Sequence, residues 1–139
     1  MTDSFNLQRF VDAQKPIYEQ VRAELERGRK VTHWMWFIFP QIEGLGQSEM
    51  ARRFAISSRA EAIAYLDHPV LGANLRECTD LVNRVKGRSI DDIFGGIDAM
   101  KFRSSMTLFA QVAADRDLFD MALTKFYGGK ADGATLQRL

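Results

Sequence analysis

The stretch Thr32 to Gly46, T-H-W-M-W-F-I-F-P-Q-I-E-G-L-G, limits the folds open to this chain more than any other. Seven consecutive apolar residues, Trp34 to Pro40, include both tryptophans and two of the ten phenylalanines. Leaving that aromatic surface in water would forgo several kcal/mol, so the other elements must close over it. Seven residues are too few for periodicity to separate a buried strand from a buried helix. Thr32 offers an N-cap, Pro40 a stop, and no second stretch offers a partner strand, so the block reads as a short buried helix. His33 and Gln41, polar side chains at its two edges, mark where a binding site can sit.

Helical period and end signals organise the rest. Asp3 and Ser4 are placed to cap a first helix whose Leu7, Phe10 and Val11 share a face, and Pro16 suits the first turn of a second. There Ile17, Val21 and Leu25 recur four apart, with Glu19, Arg22, Glu26 and Arg27 outward and Gly28 at the end. Gly44 and Gly46 make a turn, and Ser48 caps a helix through Met50 and Phe54. Ser58-x-x-Glu61 reads as a capping box opening a helix to His68. His68-Pro69 is a corner before a helix whose Leu71, Leu75, Cys78, Val82 and Val85 form one stripe, which makes Cys78 a small core residue. Ser89 caps a turn carrying Ile90, Ile93 and Phe94, and Gly95-Gly96 separates it from a long helix over Asp98 to Ala114. Asp117 starts another, with Phe119, Ala122, Leu123 and Phe126 inward and Gly128-Gly129 at its end, before a last turn from Ala134 to Leu139. No stretch alternates between hairpin-type turns. The expected fold is all-α: one domain over residues 1–139, an orthogonal array of about seven to eight helices, too many and too short for a four-helix bundle.

Composition removes several function classes. With 46% hydrophobic and 27% charged residues, the chain matches a soluble globular domain. Nineteen Lys plus Arg against eighteen Asp plus Glu leave +1, so no global field argues for nucleic acid or an acidic membrane. Arg27, Arg29 and Lys30, with Arg52, Arg53 and Arg59, read as solvated surface rather than a nucleic-acid face. The start M-T-D-S-F-N lacks a signal-peptide pattern, no apolar run reaches the ~18 residues of a membrane span, and the lone Cys78 has no disulfide partner; the expected setting is a reducing cytoplasm. Two histidines and one cysteine do not make a zinc ligand set. The P-loop, dinucleotide, hydrolase-elbow and zincin motifs are all missing, so no cofactor is expected.

The long helix carries the informative anomaly. Stepping about 100° per residue from Asp98, Phe102, Met106, Phe109 and Ala113 cover one side of an arc and Leu108 and Val112 the other. Arg103, Thr107 and Gln111 fall on the opposite, solvent side, while Asp98, Lys101 and Ser105 fall inside the arc. Buried charges need partners. Two readings are open: a structural bridge between Asp98, doubling as N-cap, and Lys101, or a ligand site in which lysine, serine and the helix start receive an anion. His33, a structural residue in the plain reading, would join a carboxylate, an ammonium and a hydroxyl suited to acid–base work if it faced the same cavity. Trp34 or Trp36 could then stack on a planar ligand, and Gln41 could supply amide hydrogen bonds or simply tie down its loop.

Three runs carry a resemblance. H-W-M-W-F-I-F-P-Q-I-x-G-L-G-x-S from His33, E-A-x-A-Y-L-x-H-P-V-L-G from Glu61 and D-x-x-K-x-x-S-S-x-T-L-F from Asp98 resemble the bacterial family catalogued as domain of unknown function 1810. The likeness extends from L-Q-R-F at Leu7 to T-L at Thr135. It implies a small single-domain helical fold and brings no established activity and no assigned catalytic residues. Members are sometimes labelled calpastatin after a disordered, polar inhibitor, a label at odds with a chain this rich in core residues.

The functional expectation is therefore a small-molecule-binding domain or an enzyme, with a small planar or anionic ligand. Its pocket would be lined by His33, Trp36, Gln41, Asp98, Lys101 and Ser105; His33 or Asp98 would move protons and Lys101 would hold the anion. The alternative is a protein-interaction module whose polar residues are only caps and bridges.

Overall fold

A computed structural model describes residues 3–139. Among them the chain forms ten helices: α1 (Gln8–Gln14), α2 (Tyr18–Glu26), α3 (Met35–Ile38), α4 (Glu49–Arg53), α5 (Arg59–Asp67), α6 (Leu71–Arg84), α7 (Ile90–Phe94), α8 (Gly96–Val112), α9 (Asp117–Tyr127) and α10 (Gly133–Gln137). The fold is all-α, as expected. The larger helix count arises because the turns after Ser89 and before Leu139 close into five-residue helices, α7 and α10. Among the described residues no helix is long and apolar enough to cross a membrane.

Helix α8 is the axis, with α5, α7, α9 and α10 packed around it. All seven residues from Ser104 to Ala110 are buried, the signature of a core helix rather than an amphipathic one. This corrects the solvent-side placement of Arg103 and Thr107. The segment after α9 folds back over that face: the Asp132 amide donates to Thr107 Oγ1 at 2.9 Å, and Arg103 donates to the carbonyls of Lys130 and Ala131. A polar stripe here marks anchors for a covering loop. The helix also begins earlier than expected, with Gly95 at the N-cap, so Asp98 lies in the first turn and is not the cap.

The aromatic block sits against this axis. Phe39 meets Phe102 edge-on at 4.9 Å and Phe94 at 5.9 Å, while Trp34 lies 6.3 Å from Phe39. The short-helix reading holds for Met35–Ile38, but Thr32 does not cap it. Its hydroxyl donates instead to Glu24, a fully buried carboxylate on the inner face of α2. Glu24 also accepts from the amides of Val31 and Thr32, from Trp34 Nε1 and from Gln20 Nε2, so it fixes how the chain enters the block.

The other end signals resolve in detail. Asp3 accepts from the amides of Leu7 and Gln8 at the start of α1. Ser58 caps α5, but the Glu61 carboxylate accepts from the amide and hydroxyl of Ser57 and from Arg9; the reciprocal capping box is Ser89 with Asp92. Leu71, Leu75, Cys78 and Val82 form the buried stripe of α6. At the corner before it, a Cβ on Gly72 would overlap the Leu66 carbonyl oxygen, so α5 and α6 approach more closely than any larger residue permits.

Candidate ligand cleft

After α3 a loop runs from Pro40 to Ile56, pinned to the core by the buried Ile42 and Phe54. The Ile56 amide donates to the Gln41 carbonyl and the Glu43 amide to the Ile56 carbonyl, both at 2.8 Å, forming a parallel bridge between Ile42 and Ile56. The loop so closed carries α4. Between it, α3 and α8 lies a cleft of about 310 Å³, lined chiefly by Trp36, Phe39, Gln41, Gly46, Arg52 and Lys101. Gly46 is required by proximity: a Cβ there would overlap the Ala51 methyl on α4.

A second hollow of about 270 Å³ adjoins it. Gln41, Gly46 and Lys101 line both, so together they form the ridge between them. The second hollow adds Leu45, Ile97 and Met100, with Ser104 and Asp132.

Charge at the ridge is unbalanced. Lys30 Nζ lies 2.9 Å from Asp98 Oδ2 and Lys101 Nζ lies 3.7 Å from Asp98 Oδ1, so two ammonium groups share one carboxylate and one positive charge is left over. The Lys30 side chain, 7% exposed and with its Nζ 5.2 Å from the Trp34 ring centre, holds the shorter contact. Lys101, 24% exposed, is the less neutralised of the two and stands 5.4 Å from the Trp36 ring centre. Arg52 adds a second cation to the cleft and its guanidinium donates to Gln47 Oε1 at 3.3 Å; Glu43 is the one carboxylate in the lining.

Of the six residues singled out from the sequence, Trp36, Gln41 and Lys101 come together in the cleft. Asp98 lies beside Lys101, 20% exposed, and lines neither hollow. His33 is exposed and lines neither. Ser105 is fully buried, its Oγ without a hydrogen-bond partner, and also lines neither. The bridge between Asp98 and Lys101 exists, but Lys30 as a third member was not foreseen. Arg52 is exposed, as its grouping with surface arginines expects, but its place in the cleft lining was not foreseen. Its signal was the Gly46 and Ala51 pair, small residues that let α4 approach the loop.

A family model described as "Protein of unknown function (DUF1810)" matches residues 4–139. Among solved structures, the chain is similar to a conserved hypothetical protein from Mycobacterium tuberculosis, with 54% identity and a TM-score of 0.97 over 99% of this chain and 98% of that one. No curated protein matches it.

Proposed function

The chain belongs to the DUF1810 family, and from its cleft we propose that it binds a small anionic molecule bearing a planar group. Lys101 and Arg52 hold the anion and Trp36 stands beside the planar part. The observation that carries this reading is the shared carboxylate: Asp98 is 2.9 Å from Lys30 and 3.7 Å from Lys101, which leaves the lysine that lines the cleft short of negative charge. A partly desolvated ammonium favours an anionic partner. The volume, about ten times a water molecule's share of the liquid, falls at the small end of ligand pockets and suits a metabolite rather than a macromolecule.

Binding is the function this geometry supports best. Proton transfer by Asp98 would have to act past Lys101, and transfer by His33 would need a ligand that extends beyond the cleft. A second reading, a protein-interaction module, draws on Ile97 and Met100, which are 74% and 72% exposed.

Thermal shift tests the first reading. Aromatic carboxylates, sugar phosphates and nucleotides are titrated against wild type, Lys101→Met and Arg52→Gln. A ligand at 100 times its Kd adds about 2.7 kcal/mol to the native state, so the melting temperature of wild type rises with concentration. Lys101→Met loses the rise and Arg52→Gln reduces it. A flat response from every class in wild type removes the cleft reading and leaves the interaction module.

A further inference from the structure

We propose that the ligand also carries an apolar chain, joined to its planar group at the anionic centre, and that this chain lies in the second hollow. The inference rests on the reading of the cleft as an anion site. Three observations lead to it. Lys101, Gln41 and Gly46 line both hollows, so an anion held at Lys101 borders the cleft on one side and the second hollow on the other. The second hollow is walled by Leu45, Ile97 and Met100, and the last two leave most of their surface in water although the helix that bears them is buried on every side farther along. The two polar side chains it has beyond the ridge, Ser104 and Asp132, are engaged with each other: Ser104 Oγ donates to Asp132 Oδ2 at 3.0 Å, and that same oxygen accepts from the amide and hydroxyl of Thr135. The Asp132 carboxylate also disfavours a second anion at that end. Away from the ridge, what remains on offer is the apolar wall of Leu45, Ile97 and Met100, and a flexible methionine adapts to chains of varied shape.

The ligand class is thus a singly charged amphipathic anion with two arms, planar and aliphatic, diverging from the charge. N-acyl-phenylalanines have this shape: a ring for the cleft, a carboxylate for Lys101 and an acyl chain for the hollow. Isothermal titration of the acetyl, butanoyl, hexanoyl and octanoyl members, below their aggregation concentrations, tests it in wild type, Lys101→Met and the double variant Ile97→Ser/Met100→Ser. Both positions of the double variant are exposed, and its ligand-free melting temperature reports that the fold is kept. In wild type, affinity is expected to climb about fourfold per added methylene until the hollow is full. In the double variant the acetyl member binds as before and most of the climb is lost. Acetyl binding that depends on Lys101 without any gain from longer chains, or with an equal gain in the double variant, overturns the second-hollow inference and leaves the cleft reading standing. Chain-length dependence that Lys101→Met does not alter overturns the anion site and the inference built on it. Failure of every member to bind wild type overturns both.

Discussion

Glu24 accepts from five donors on α2 and on the segment from Val31 to Trp34 while fully buried. Burial pushes its pKa up; the Thr32 hydroxyl and the Val31 and Thr32 amides outweigh that and hold it at about 2, below the ordinary 4.5. A carboxylate depressed on folding stabilises fully above its unfolded value and loses that contribution as pH falls through its folded one. Stability should therefore fall as pH drops from about 4.5 toward 2. Glu24→Gln should cost about 2–4 kcal/mol at pH 7 and show a shallower acid slope, read from urea midpoints at neutral and acid pH. Ser105 predicts the opposite sign. Its hydroxyl is buried without a partner, and alanine is the better helix former, so Ser105→Ala should raise stability by about 0.5–1.5 kcal/mol and leave ligand affinity unchanged. A lower denaturation midpoint would mean that a bound water satisfies the hydroxyl.

Between elements, packing reverses a local preference at Gly72. Alanine in a helix is favoured over glycine by about 1 kcal/mol, yet here its Cβ would meet the Leu66 carbonyl oxygen, which belongs to backbone and cannot swing away. Overpacking of that kind costs about 1–3 kcal/mol, so Gly72→Ala should destabilise, with a lower denaturant midpoint and an unchanged slope. Element identity was legible where a stripe or a cap is local: the α6 stripe, Ser48, Ser89 and the corner at Pro69 all read correctly, although Thr32 and Asp98 are not the caps of their helices. It failed where the cause is tertiary. Thr107 reads as solvent-facing until a loop from beyond α9 covers it, and the Ile42 to Ile56 bridge joins segments whose pairing no local pattern announces. Glu24 falls three residues after Val21, on the inward face, and went unread because a carboxylate is ordinarily placed outward.

Across the whole molecule, half of the candidate site was legible, for a reason of geometry. Trp36 and Gln41 belong to or flank the apolar block, Lys101 sits one turn into the helix that block packs against, and proximity follows from the core itself. His33 lies outside any helix, where side-chain direction is not encoded by period, and Ser105 is one turn too deep in α8 to reach the cleft. Because binding would draw on a surplus charge at a partly open ridge, affinity for an anion should weaken as ionic strength rises from 0.15 to 1 M, where the screening length shortens from about 8 to about 3 Å; titration at the two salt concentrations checks it. One wall of the cleft, finally, is held at its ends rather than along its length: α4 has no fully buried residue, Phe54 and the Arg9 bonds to the carbonyls of Arg53 and Ala55 anchor the end after it, and two amide bonds at Glu43 and Ile56 close the loop. That wall should behave as a separate unit in hydrogen exchange. The amides of Glu43 and Ile56 should exchange together through an opening that leaves Ser104 to Ala110 protected, and a bound ligand should slow the pair by the factor 1 + [L]/Kd. Occupancy of the cleft would then be legible as a clock on two backbone protons.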